Sequence, residues 1–369
     1  MRITFAEIDL NALRQNFQLA KKATNGKGVI SIVKANAYGH GIIQVSKTLV
    51  EEGTNYLGVG FLEEGLLLRR RGFTIPILVL GGVLFSQVRQ FLKNDLEITI
   101  SSLGLAYSVN RQAEKFGSKA KIHLKFDTGM NRIGINHTKA KFVISKIKTL
   151  KNIELVGIYS HLAVSEEVDS DYTKLQVERF EQIKKDAEEV GVEPNFYHIA
   201  NSGGLVNNQN SVFNLVRTGL MLYGISPVQE KSETLDLKPV MAFKSKVVFL
   251  KEVDEGEGIS YGLTFHTKQK TKIATIPVGY GDGYTRLLSN KSEVLIRGKR
   301  FPVVGTICMD QFMVDVGLDS EVQIGDEVVL YGKQGDEEIS IQEIADLAGT
   351  IPYEITCWLA RRVPRVYKK

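Results

Sequence analysis

Several chemically capable side chains stand where short apolar stretches of the sequence end. A lysine amine in such a place can attack an aldehyde and hold it covalently as a Schiff base. A guanidinium fork can bind a carboxylate, and a hydroxyl followed by glycines at the start of a helix can bind a phosphate. The side chains in question are Lys34, Arg132, His161, Ser202 and Arg217.

Each of these residues also has an ordinary structural explanation. Lys34 could mark the exit of a strand to solvent, and a single histidine such as His161 is more often structural than catalytic. Arg132 and Arg217 could form surface ion pairs, and Ser202 with its glycines could be a simple turn. The combination of all of them is what favours a functional site.

The combination suits one cofactor, pyridoxal 5'-phosphate. Lys34 would carry it covalently, and Ser202, at the start of a predicted short helix, would bind its phosphate together with Gly219. Arg217 is available for the pyridine nitrogen and Arg132 for a substrate carboxylate. Because arginine rarely gives up its proton, Arg217 would leave the ring nitrogen unprotonated, and side reactions such as transamination should be slow.

The elements that position these residues alternate regularly. Short apolar runs end at Gly, Ser or Asn and are followed by amphipathic stretches, which predicts parallel strands joined by helices. Eight such units favour an α/β fold, a (β/α)8 TIM barrel, over an open doubly wound sheet, which would carry a glycine fingerprint after its first strand. The predicted strands are 29–33, 56–60, 77–80, 97–100, 121–126, 154–160, 196–200 and 214–218.

In the helix predicted over 173–190, Leu175, Phe180, Ile183 and Ala187 recur at three-to-five-residue steps and should share one face.

The sequence changes texture beyond about residue 227. Closely spaced apolar runs separated by Gly, Asp and Asn predict a smaller, mainly-β domain with two short helices near its end. We therefore predict that the barrel spans 1–233 and that the mainly-β domain spans 234–369.

Composition excludes several classes of protein. The net charge of +5 is mild and spread along the 369 residues, so nucleic acid is not an expected partner. Two cysteines do not make a disulfide framework, and the beginning of the sequence lacks the apolar core of a signal peptide. We expect a cytoplasmic protein with no membrane association and no metal.

The motifs that carry this chemistry resemble those of the bacterial alanine racemases, which are pyridoxal-phosphate enzymes of fold type III. The lysine motif is VKANAYGHG (33–41) and the arginine motif is DTGMNRIG (127–134). The similarity extends along essentially the whole chain, and the remaining matches are ANS (200–202), VRTG (216–219), ISYG (259–262), GYGDG (279–283), CMDQ (308–311) and RVPRVY (362–367).

The resemblance implies a role for each matching residue. Lys34 and Tyr261 would be the two catalytic bases, with His161 beside Tyr261, and Arg132 and Met309 would contact the substrate. His198 would support Arg217, Lys125 matches a position where some members carry a carbamylated lysine, and Arg286, Asp169 or Glu166 would lie near the substrate entrance. The cofactor-binding residues would be Lys34, Tyr38, His161, Asn201, Ser202, Arg217, Gly219, Leu220 and Tyr353.

The resemblance also implies a homodimer with shared active sites, in which Tyr261 and Met309 come from the partner subunit. One departure from the family pattern is Asn131, where many members have glycine, and its expected effect is on the loop beside Arg132.

The function that the resemblance implies is interconversion of L-alanine and D-alanine, supplying D-alanine for peptidoglycan. Two alternatives remain open: a broader racemase that also accepts serine, and a non-catalytic pyridoxal-phosphate-binding protein. A decarboxylase that uses the same cofactor would carry a glycine triplet in place of Asn201-Ser202-Gly203-Gly204, and a hydrolase without cofactor would leave Lys34 and Arg217 without tasks.

Overall fold

The computed structural model describes residues 2–228 and 234–369. The chain forms two compact units. The first comprises Leu13–Ala37 and Ile42–Lys238, and the second comprises the segment up to Ala12, Tyr38–Gly41 and Pro239–Lys369.

The first unit is built on eight parallel strands in sequential order, with the eighth strand paired to the first. Between the seventh and eighth strands the amide of Arg217 donates to the carbonyl of Ala200 at 3.0 Å, so the barrel is nearly closed. The predicted TIM barrel is therefore confirmed. In chain order the barrel strands are Gly28–Ile32, Tyr56–Val59, Ile77–Val79, Glu97–Ile100, Ala120–Asp127, Ile153–Tyr159, Phe196–His198 and Leu215–Thr218.

Helices connect these strands, as a parallel sheet requires. Their ends follow local capping rules. The hydroxyl of Ser102 accepts from the amide of Leu105, and Gly117 ends the same helix in a left-handed conformation that glycine adopts readily. The helices are Leu10–Ala23, Ile42–Glu51, Leu62–Arg70, Val88–Lys93, Leu103–Phe116, Ala140–Lys148, Asp171–Glu189 and Ser202–Asn207.

The barrel strands are buried on both faces, because helices cover one face and the barrel interior receives the other. All four residues of Glu97–Ile100 are buried, including the carboxylate of Glu97 and the hydroxyl of Thr99. A charged residue buried in such a strand needs a hydrogen-bonding partner, so a partner is expected for Glu97.

The second unit is mainly β, as predicted. Ten of its described strands form one sheet, in which Phe5–Asp9 pairs antiparallel with Met241–Lys246 and parallel with Arg365–Lys368. The other strands of this unit are Phe249–Val253, Gly258–Ile259, Phe265–His266, Thr271–Ile276, Glu293–Ile296, Lys299–Val304, Phe312–Asp315, Glu327–Gln334 and Glu337–Ile339, and its helices are Ile341–Ala348 and Pro352–Trp358.

The N-terminal strand Phe5–Asp9 thus belongs to the second unit. The predicted boundary between residues 233 and 234 falls at the edge of 229–233, which lie outside the described residues, and it stays a prediction. Within the described part of the chain, no helix combines the length and the apolar character needed to cross a membrane.

Candidate active site

Lys34 lies directly after the first barrel strand, on a turn of unusual backbone. Four consecutive residues, from Ala35 to Tyr38, have φ between 50° and 55°, a left-handed conformation that costs about 1–2 kcal/mol for each L residue. Hydrogen bonds compensate. The amide of Ala35 donates to Oε1 of Glu64 at 2.6 Å, and the amide of Ile42 donates to Oδ1 of Asn36 at 2.9 Å. Strain of this kind is typical of functional sites.

Arg217 is buried on the eighth strand, and both of its terminal nitrogens are held by the protein. Nη1 donates to Nδ1 of His198 at 2.8 Å, and Nη2 donates to the carbonyls of Ser160 and Ile199 at 2.8 and 2.9 Å. Among the described residues none accepts a hydrogen bond from Nε. This N–H is therefore available to an acceptor that is not part of the chain, such as a pyridine nitrogen.

Lys125, Arg132 and His161 line one small pocket of the barrel. Burial, followed by the positive charges of Arg217 and Arg132, lowers the pKa of the buried Lys125 ammonium to about 7. The charge of Lys34 also acts on Lys125, which places these four cations in one electrostatic neighbourhood. The pocket is thus electropositive and suited to anionic groups.

The loops after the seventh and eighth strands are joined through Ser202. Its hydroxyl accepts from the amide of Gly219 at 2.9 Å, and the side chain of Asn201 caps the helix that begins at Ser202 by accepting from the amide of Gly204 at 2.9 Å. The hydroxyl of Thr218 is buried without a partner among the described residues. The first turn of a helix leaves N–H groups unpaired, and such groups can bind an anion such as phosphate.

The second unit brings together another part of the predicted site. Tyr261, Met309 and Arg286 line one open cavity. Thr306 fixes the loop of Tyr261, because its hydroxyl donates to the carbonyl of Tyr261 at 2.8 Å and its own carbonyl accepts from the hydroxyl of Ser260 at 2.6 Å. The side chains of Tyr261 and Met309 are 74% and 54% exposed.

The remaining predicted residues are distributed over both units. Tyr38 and Tyr353 belong to the second unit and are half-buried, whereas Leu220 belongs to the first. Asp169 and Glu166 are exposed in the loop before helix Asp171–Glu189.

Asn131 adopts a left-handed conformation, with φ of 56°, and its amide donates to Oδ1 of Asp127 at 3.1 Å. A glycine would adopt this conformation readily, so Asn131 fits a position where relatives carry glycine.

Three supporting residues were not predicted from the sequence. Glu64 anchors the Lys34 turn, His123 is hydrogen-bonded to His198, and Glu97 is hydrogen-bonded to His123. The signal for the latter two was present, because polar residues alternate along the buried strands at 97, 99, 123 and 125. A buried charged residue of this kind is rare unless it is paired.

Two family models match most of the chain. The "Alanine racemase, N-terminal domain" family matches residues 8–227, and the "Alanine racemase, C-terminal domain" family matches residues 240–367. The alanine racemase of Halothermothrix orenii is 46% identical over 369 residues, covering 100% of this chain and 97% of that protein.

Solved structures give the same result. The alanine racemase of Clostridium difficile 630 superimposes with a TM-score of 0.94 at 39% identity, covering 100% of this chain and 96% of that one. The alanine racemase of Bacillus anthracis gives a TM-score of 0.92 at 39% identity, with the same coverage. Both the barrel and the β unit are therefore matched, and this chain belongs to the alanine racemase family.

Proposed function

We propose that this alanine racemase moves the α-proton of alanine with two bases, Lys34 and Tyr261. When bound, pyridoxal 5'-phosphate supplies an electron-withdrawing ring that makes the α-proton of the attached amino acid acidic. Racemisation then needs removal of the proton on one face and its return on the other, which two opposed bases accomplish and a single base does badly. The Lys34 amine would serve one face and the Tyr261 phenol the other.

One observation carries the cofactor assignment, namely the hydrogen bonding of Arg217. Both terminal nitrogens are satisfied inside the barrel, whereas Nε has no partner among the described residues. Because arginine stays protonated, Nε–H can donate to a ring nitrogen without transferring its proton. The solved Bacillus anthracis relative has bound L-Ala-P, which supports a ligand site in this family.

We assign the remaining cofactor contacts as follows. Ser202, Gly219, Leu220, Tyr38 and Tyr353 would hold the phosphate, with Asn201 fixing the start of the helix that begins at Ser202. The hydrogen bond that joins Ser202 to Gly219, together with the unpartnered hydroxyl of Thr218, supports this placement.

The substrate carboxylate would be bound by Arg132, an exposed residue that lines the electropositive pocket with Lys125 and His161. A bidentate arginine–carboxylate pair orients the amino acid as well as binding it.

Met309 and Tyr261 would limit the size of the substrate side chain. Since a pocket rejects an extra hydroxyl only weakly, the test is racemisation of L-serine against L-alanine. The alanine assignment requires a clear preference for L-alanine, and comparable rates would support the broader racemase.

We further propose a homodimer in which Tyr261 and Met309 complete the active site of the partner subunit. Their exposure supports this arrangement, because large side chains with a catalytic task are seldom left in open solvent. Mixing Lys34→Ala protein with Tyr261→Ala protein tests it. If sites are shared, about a quarter of all sites regain both bases after random exchange of subunits. If each site lies within one chain, mixing restores no activity.

The cellular setting follows from the chemistry. D-Alanine is a building block of peptidoglycan, and we place the enzyme in the cytoplasm, where that precursor would be used. The chain has two cysteines, Cys308 and Cys357, which are too few for a disulfide framework, and this supports a reducing compartment.

A further inference from the structure

Four buried side chains form an unbroken hydrogen-bonded chain through the barrel interior. Oε2 of Glu97 lies 2.7 Å from Nε2 of His123, and Nδ1 of His123 lies 2.9 Å from Nε2 of His198. Nδ1 of His198 lies 2.8 Å from Nη1 of Arg217. The exposed fraction of each of the four residues is 3% or less, so water does not compete for these bonds.

Arg217 and Glu97, at the two ends of this hydrogen-bonded series, determine which nitrogen of each histidine carries the proton. Arg217 can only donate, so Nδ1 of His198 must accept and its proton must reside on Nε2. Nε2–H of His198 then donates to Nδ1 of His123, which leaves the proton of His123 on Nε2. That proton is donated to the Glu97 carboxylate, which can only accept.

Other proton arrangements break a bond. A doubly protonated His123 would donate to Nε2 of His198, which would then place the His198 proton on Nδ1, against the N–H of Arg217. Burial, then the charge of Arg217, holds the pKa of His198 well below its ordinary value, in keeping with a neutral ring. Glu97 is thus the acceptor that keeps both imidazoles neutral and turned in one direction.

The residues around these four side chains hold the imidazole rings without reversing the direction of the hydrogen bonds. The ring of Tyr159 stacks on His198, with centroids 4.7 Å apart and planes inclined by 4°, and its hydroxyl lies 2.7 Å from the hydroxyl of Thr99. Tyr56 lies beside Glu97, and burial followed by the Glu97 charge raises the pKa of its phenol. The Lys125 ammonium lies 5.2 Å from the Tyr159 ring centre and makes no hydrogen bond to either imidazole.

We propose that Glu97 and His123 are positioning residues that fix the tautomer of His198 and thereby hold Arg217 with its Nε directed at the cofactor's ring nitrogen. This inference rests on the proposed cofactor role of Arg217. Loss of the Glu97 acceptor frees His123 and then His198 to turn or to change tautomer. Arg217 then loses its Nη1 acceptor, and the guanidinium that keeps the ring nitrogen unprotonated is no longer fixed.

The experiment compares three variants of the full-length protein. Glu97→Gln keeps an acceptor but removes the charge, and Glu97→Leu removes both. Thr99→Val is the matched control, since it removes buried hydrogen bonds on the same strand, to the carbonyl of Val79 and the hydroxyl of Tyr159, that are not part of the series from Glu97 to Arg217. Nitrogen-15 NMR of labelled histidine reads the tautomers, before and after addition of pyridoxal 5'-phosphate. Single substitutions assign the signals of the six histidines.

We expect Nε2-protonated His123 and His198 in the wild type, in Glu97→Gln and in Thr99→Val, and loss of this pattern in Glu97→Leu. With cofactor, Glu97→Leu should lower racemisation by up to roughly 100-fold and raise the ratio of transamination to racemisation. Glu97→Gln should restore both to near wild-type values, which a merely structural role would not predict.

Wild-type tautomers together with a wild-type product ratio in Glu97→Leu would overturn the proposal. Altered tautomers with an unchanged product ratio would overturn the positioning role. Should Glu97→Leu fail to fold, His123→Phe asks the same question, because it removes the acceptor of Nε2–H of His198 while keeping a ring. Wild-type protein with the expected tautomers but without affinity for pyridoxal 5'-phosphate would contradict the proposed function and leave the tautomer assignment intact.

Discussion

Nδ1 of His161 lies 3.0 Å from Nη2 of Arg217, so a histidine beside the proposed catalytic centre faces a permanent donor. The ring nitrogen must therefore accept, and the proton of neutral His161 resides on Nε2. Burial, then the charges of Arg217 and Lys125, holds the pKa of His161 well below its ordinary value. His161 can thus donate a hydrogen bond at neutral pH but does not act as a cationic acid.

The neutral state of His161 and His198 makes the fold sensitive to acid. Both have a lower pKa when folded than their ordinary 6.5, so below that pH the unfolded chain binds more protons. The contribution of these two histidines to the unfolding free energy is fully present above pH 6.5. It is lost as the pH falls toward their pKa values in the folded protein. Each histidine should remove about 1.4 kcal/mol of unfolding free energy per pH unit, measurable as a falling thermal midpoint.

His161→Gln should make the unfolding free energy fall less steeply between about pH 6.5 and 5.5, because roughly one proton fewer is taken up on unfolding. The exposed His266 provides the control, because His266→Gln should leave the dependence unchanged. An identical pH dependence in wild type and His161→Gln would show that His161 is not held neutral by the fold.

Lys125 should react with carbon dioxide. Its pKa of about 7 leaves most of the amine neutral one pH unit above that value. The neutral amine can form an N–C bond to carbon dioxide and release a proton, and the resulting carbamate anion would be stabilised by Arg217, Arg132 and Lys34. Carbon-13 NMR with labelled bicarbonate should show a carbamate signal that disappears one unit below pH 7 as the amine is protonated.

The control lies on the same barrel strand. Lys121 pairs with Asp95 at 3.1 Å, and this hydrogen bond raises the pKa of its ammonium. Lys121→Ala should therefore keep the carbamate signal and Lys125→Ala should abolish it. A signal that survives Lys125→Ala would place the carbamate elsewhere.

Replacement of Arg217 should change which reaction occurs. Arg217→Glu offers a carboxylic acid to the ring nitrogen, and protonation of that nitrogen strengthens the electron sink, so transamination should rise relative to racemisation. The same change removes the donors to three buried carbonyls, and the unfolding free energy should fall by several kcal/mol, at about 1–3 kcal/mol for each unsatisfied group. Pyruvate and D-alanine are measured in one reaction. Equal product ratios in the folded variant and in wild type would contradict the assignment.

Tyr261→Phe should affect the two enantiomers unequally. If Tyr261 serves one face of the α-carbon, its loss removes proton exchange from one enantiomer while the Lys34 amine still exchanges the proton of the other. Deuterium incorporation from solvent is measured separately for L- and D-alanine. Tyr280→Phe is a suitable control, because Tyr280 lines the same cavity without an assigned base role. An equal loss of deuterium incorporation for both enantiomers in Tyr261→Phe would contradict the two-base mechanism.

The sequence was sufficient for the elements that bury apolar residues periodically. All eight barrel strands were predicted, and Glu97–Ile100 has the predicted bounds, because short β-branched runs between glycines and helices leave few alternatives. The chemical residues at strand ends were also predictable, since the barrel topology collects them on one face.

Polar groups that act only in the folded protein were not predictable. Leu175 was predicted to share a helix face with Phe180 and Ile183, but it is 37% exposed while those two are buried, and the neighbouring Gln176 is fully buried. Gln176 accepts from the amide of Ala163 at 2.8 Å and donates to the carbonyl of His161 at 3.0 Å. A hydropathy pattern assigns glutamine to solvent, because it does not register hydrogen bonds formed between distant segments. Glu64 was missed for the same reason.

Lys34 has the most important proposed role, because it would both hold the cofactor and take part in racemisation. The direct test is D-alanine formation from L-alanine, recorded together with the visible absorbance of the lysine-linked cofactor, in wild type and in Lys34→Ala. We expect the wild type to form D-alanine and Lys34→Ala to lose both the activity and the absorbance. Unchanged absorbance and activity in Lys34→Ala would show that Lys34 has neither role.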